Sequence, residues 1–115
     1  MTDQELLTMA AKAAGIEIEW NVMINPHSPI LAPKTQQERN WLGHEHTPWN
    51  PLTDDGDALR LGVFLFRDIH FWYFDNSVSV GNELRVACGD DPCAATRLAI
   101  VRAAAAIGEK MEAKP

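Results

Sequence analysis

Asp68-Ile69-His70-Phe71-Trp72-Tyr73-Phe74, then Val78-Ser79-Val80-Gly81-Asn82, then Leu84, Val86 and Cys88 at alternate positions: on this stretch the fold turns. The first run is aromatic and β-branched at both parities, which predicts a central strand covered on both sides. Gly81-Asn82 places glycine first in a two-residue connection, the requirement of a type II′ hairpin turn. The alternating Val78/Val80 and Leu84/Val86/Cys88 supply its arms. Strands joined by hairpins make a mostly antiparallel sheet, so the class is α+β.

The helices lie on either side of this block. Thr2 followed by Glu5 is a capping-box pattern, and Leu6, Leu7, Met9, Ala10, Ala13 and Ala14 form an apolar face ending at Gly15. Ile16, Ile18, Trp20, Val22 and Ile24 then alternate with more polar residues, predicting a strand over 16–24. Thr53 is placed to cap a second helix, with Asp54, Asp55 and Asp57 in its first turn. Leu59, Leu61, Val63, Leu65 and Phe66 surround most of that helix and predict burial over more than one face. Asp91-Pro92 starts a third helix running to about Met111, whose alanines allow close packing on a sheet. Arg97 falls inside the apolar arc of Leu98, Ile100, Val101, Ala104 and Ile107, so one charge points at an apolar surface.

The expected order is α-β-α-β-β-β-α: three helices and an antiparallel sheet of 3–4 strands. Because the aromatic strand is apolar on both sides, helices on both faces, an αβα sandwich, are predicted. At 115 residues the chain fits a single domain, 1–115, with a core of useful size. Residues 25–51 hold five prolines and no sustained periodicity, forming a long irregular loop with room for an extra strand over 40–46.

A formal net charge of −6, with ten Lys and Arg dispersed along the chain, excludes a general nucleic-acid binder. Met1–Glu5 lacks a basic leader region, and no apolar run is long enough to span a bilayer, which predicts a cytoplasmic protein. In that reducing compartment Cys88 and Cys93 read as free thiols.

Two stretches, Trp49-Asn50-Pro51-Leu52-Thr53-Asp54-Asp55-Gly56-Asp57-Ala58-Leu59-Arg60-Leu61 and Asp91-Pro92-Cys93-Ala94-Ala95-Thr96-Arg97-Leu98-Ala99-Ile100-Val101-Arg102-Ala103-Ala104, carry a resemblance. With the opening Glu5 to Gly15 they resemble small phage and prophage proteins similar to those grouped as the phage ABA sandwich domain. The resemblance covers about half the chain. It implies an αβα sandwich of phage or prophage origin and brings no catalytic residues with it.

His44 and His46 would share one side of a strand and, with Asp54 and Asp55, are ligand types for zinc or another divalent metal; an exposed pair is the plainer reading. The carboxylates at 54, 55 and 57 lack the later ligands of a calcium loop and read as helix-capping groups, with Asp57 near Arg60 or Arg97. Arg97 is either a structural partner for one of them or an anion-binding group. Trp20 and Phe71 read as core, while Trp41 in its polar loop reads as exposed. No nucleophile with an adjacent base, phosphate-cradling loop or cofactor motif is present.

These features favour a non-enzymatic phage accessory protein that binds a host or phage macromolecule through the loop from Asn25 to Pro51 and exposed aromatic or acidic groups, with Trp41, His44, His46, Trp49 and Arg97 as candidate contacts. The alternatives are a small-ligand binder or metal-dependent enzyme built on His44 and His46, and a homo-oligomer or minor virion component.

Overall fold

The computed structural model describes residues 2–20, 28–31, 48–66, 68–81 and 83–113. Among these the order is α1 (Asp3–Ala14), β1 (Ile18–Glu19), β2 (Ile30–Leu31), α2 (Asp55–Leu65), β3 (Ile69–Trp72), β4 (Ser77–Val80), β5 (Val86–Ala87) and α3 (Pro92–Ala113). The α+β class, the three helices and the antiparallel strand pairing agree with the sequence.

Local signals act where they stand. The Thr2 hydroxyl accepts the Glu5 amide at the start of α1, and Gly15 closes that helix in the left-handed region (φ 70°). Asp91 accepts the Ala94 amide at the head of α3, with Pro92 as its first residue. The Glu83 amide closes the β4–β5 turn on the Val80 carbonyl, and Gly81 has a φ of 60°. The cap of α2 stands one residue later than expected: Asp54, rather than Thr53, accepts the Asp57 amide.

The long loop is anchored at both edges. Ile30 and Leu31 pair with β1, and Pro48 bridges Ile30. The Trp49 amide bonds to the Pro29 carbonyl. Asn50, buried, then organises the approach to α2: its amide N–H donates to Asp57, its side chain donates to Ser28, and it accepts from the Leu52 amide. Residues 21–27 and 32–47, which include positions 21–24 of the predicted first strand and the 40–46 segment, lie outside the described residues.

Among the described residues the second sheet has the order β3-β4-β5, which puts the aromatic strand at an edge and not at the centre. The central position belongs to β4, whose Val78 and Val80 have no solvent exposure. Ile69 pairs with Val80 and Phe71 with Val78, so these four share one face; His70, Trp72, Ser77 and Ser79 share the other. The valine face meets α3, which runs across β4 and β5. On the opposite face a polar network takes the place of a second helical layer among the described residues. Trp72 donates to Ser79, Arg85 lies 3.6 Å over the Trp72 ring and pairs with Asp75, and Ser77 donates to Asp75.

The core gathers around α3, which packs against α1, α2 and the sheet. Its alanines and Gly108 serve the helix pair as well as the sheet: the backbone of Met9 in α1 rests directly on Gly108, leaving no room for a Cβ. Likewise α2 is buried along one narrow stripe, Ala58, Leu61 and Gly62, while Leu59, Val63 and Phe64 are exposed. The expected burial over several faces fails because the contact is made by small residues. Gly62 fits against Ile100 of α3 and Ile69 of β3, an approach that larger side chains would prevent.

Candidate functional site

Where α2, β3 and α3 meet, their walls do not close. Ala58 and Leu59 come from α2, Ile69 and Phe71 from the helix-facing side of β3, and Cys93, Thr96 and Ile100 from one stripe of α3. They enclose an open apolar groove of about 420 Å³. Leu59 is 59% exposed and Phe71 61% exposed, so two large apolar side chains are held in water at its lips. Phe71 is thus a surface residue, not the core residue its sequence context predicts, because a strand at the sheet edge has no helix over its far end.

One end of the groove is fixed by Arg97. Its Nε donates to the Leu52 carbonyl at 2.9 Å, and its guanidinium donates to Asp55 at 2.6 Å. The Arg97 side chain is 18% exposed and that of Asp55 71% exposed, so the arginine is packed while its partner faces water. This is the structural role anticipated for Arg97: it ties the third helix to the entrance of the second. Asp57, as expected, pairs with Arg60, at 2.7 Å. The polar groups in the wall are otherwise engaged in local structure, Thr96 donating to the Pro92 carbonyl.

The predicted site residues separate accordingly. Trp49 is 5% exposed and belongs to the core, so it offers no surface to a partner; the Pro29–Trp49 backbone bond draws it inward. Trp41, His44 and His46 lie outside the described residues. Asp54 caps α2 and Asp55 holds Arg97. No group of three His, Cys, Asp or Glu suited to a metal occurs among the described residues. Cys88 is buried and Cys93 exposed, and both are free thiols.

Leu59, Phe71, Cys93 and Thr96 were not among the site residues expected from the sequence, which placed Phe71 in the core. The usable signal was Arg97, a charge inside an apolar arc: Cys93 and Ile100 occupy the same helical row at i−4 and i+3. A second depression, about 570 Å³, lies beside α1 and is lined by Glu5, Thr8, Trp20, Glu109 and Glu112. Three carboxylates, Glu5, Glu109 and Glu112, share its lining with Met9 and Trp20, and the Trp20 indole is engaged with Thr8.

Among the described residues no helix is long and apolar enough to cross a membrane. Comparisons with protein-family models, curated proteins and solved structures return no match.

Proposed function

We propose that this chain is a small, non-enzymatic phage or prophage accessory protein that binds a host or phage macromolecule in the bacterial cytoplasm, using the groove between α2, β3 and α3. The observation that carries this reading is the pair of exposed apolar side chains, Leu59 and Phe71, flanking an open apolar cleft. Keeping such partly exposed groups in water forgoes roughly 1–2 kcal/mol of burial each, a loss that docking with a partner recovers. The wall carries no nucleophile–base pair among its described residues, which favours binding over catalysis. The likeness of 49–61 and 91–104 to phage sandwich proteins supports the ancestry, and these stretches supply Asp55 to Leu59 and Pro92 to Ile100 of the groove.

The test compares partner capture from host lysate by the unaltered chain and by Leu59→Glu. Since Leu59 is exposed, the variant should keep its Tm within about 2 °C. It should nevertheless lose the proteins that the unaltered chain enriches. Equal enrichment by both would remove the groove as the binding surface.

A further inference from the structure

We infer that β3 is the seam of a two-fold symmetric dimer, in which the β3 edges of two copies pair antiparallel about His70 and join two three-stranded sheets into one of six strands. This pairing uses the backbone edge of β3 and shares the Ile69 and Phe71 side chains with the groove wall, while Leu59, on which the groove's own test acts, lies outside the seam.

The two edges of the sheet differ. At one edge, β5 is two residues long and flanked by the exposed charges Glu83 and Arg85, which discourage strand addition. The other edge, β3, is four residues long, pairs in regular register with β4, and contains no proline, lysine or bulge. The hydrogen-bond phase identifies its outward groups. The Gly81 amide donates to the Asp68 carbonyl at 3.0 Å, making 68/81 a hydrogen-bonded pair. Alternation along an antiparallel ladder makes 70/79 and 72/77 hydrogen-bonded pairs as well, and leaves 69/80 and 71/78 unbonded. The Cys88 amide bonds to the Asn76 carbonyl on the other side of β4, which is the same alternation seen from β5. The N–H and C=O groups of Ile69 and Phe71 therefore point away from the sheet, with no partner among the described residues.

That set of groups is self-complementary. In a symmetric antiparallel pair, Ile69 faces Phe71 of the second copy and Phe71 faces its Ile69, giving four backbone hydrogen bonds within the two strands. Any other symmetric register leaves fewer. Cross-strand neighbours share a face, so Phe71 and Ile69 of the two copies meet on the helix-facing side and cover Phe71, now 61% exposed. His70 meets His70 of the second copy on the other side. The occupant is a second copy because the seam requires apolar residues alternating with residues that tolerate a solvated face, and β3 has that alternation at the required phase.

A seam of two short strands makes a weak dimer. Sedimentation at rising concentration should show the mass moving from 12.8 kDa toward twice that value by about 1 mM. Phe71→Pro removes an outward N–H and leaves the β4 ladder intact, so it should fold and stay monomeric. Phe71→Ala keeps the N–H and should retain dimerisation, weakened several-fold. As a separate measure of register, His70→Cys in a Cys93→Ser background, treated with oxidised glutathione, should form a disulfide-linked dimer. Non-bonded antiparallel neighbours have Cα atoms about 4.5 Å apart, within disulfide reach. Ala87→Cys in the same background should not cross-link. A protein still monomeric at about 1 mM, a dimer indifferent to Phe71→Pro, or equal cross-linking at 70 and 87 would each overturn the inference.

Discussion

Gly108 is held against the main chain of Met9, and main chain cannot rotate out of the way of a methyl group. Gly108→Ala should therefore force α1 and α3 apart despite the better helix propensity of alanine. The expected loss is about 1–3 kcal/mol in urea unfolding, the range for overpacked cores. Asp75 gives a prediction of another kind. The Ser77 hydroxyl chiefly, and Arg85 in addition, hold its carboxyl below the ordinary value of 3.8. A carboxyl depressed in the folded state stabilises above its unfolded pKa, and that contribution is lost as pH falls through the folded value. Urea unfolding across about pH 5 to 2 should show Asp75→Asn with a shallower acid-side loss than the unaltered chain. Residue-level signals were the most legible part of the sequence: Thr2, Gly15, Asp91 and Gly81 each act through chemistry contained within four residues.

Arg97 acts between elements. It supplies the Leu52 carbonyl with a donor and joins α3 to the N-terminal turn of α2. Arg97→Ala should lower Tm by roughly 5 °C or more, because a part-buried carbonyl loses its partner. Asp55→Asn should change Tm by less than about 2 °C, since Asp55 faces water and exposed ion pairs contribute little. Equal losses in the two variants would place the strength of the tie in the ion pair instead. The elements themselves were predicted from periodicity, but which face each one buries was not. In α2 the large residues pointed to the wrong side, because Ala58 and Gly62 make the contact and hydrophobicity alone does not reveal a need for smallness. In β3 the aromatic run resembled a central strand. Strand order depends on long-range pairing, and four aromatic or β-branched residues in a row carry no information about which neighbour is missing.

At the scale of the molecule, the groove and the outer edge of β3 meet at the same place, the strand that ends the second sheet among the described residues. The groove was foreshadowed only by the inward charge of Arg97, since its walls come from segments that meet through tertiary packing. The arrangement also has a temporal side. The helix α3 contacts α1, α2, β4 and β5, yet it is made after all of them. During synthesis the earlier segments emerge without the surface against which their apolar residues come to rest. The apolar faces of α1, α2 and β4 therefore reach their final burial only once α3 has been made, and the domain closes as a unit.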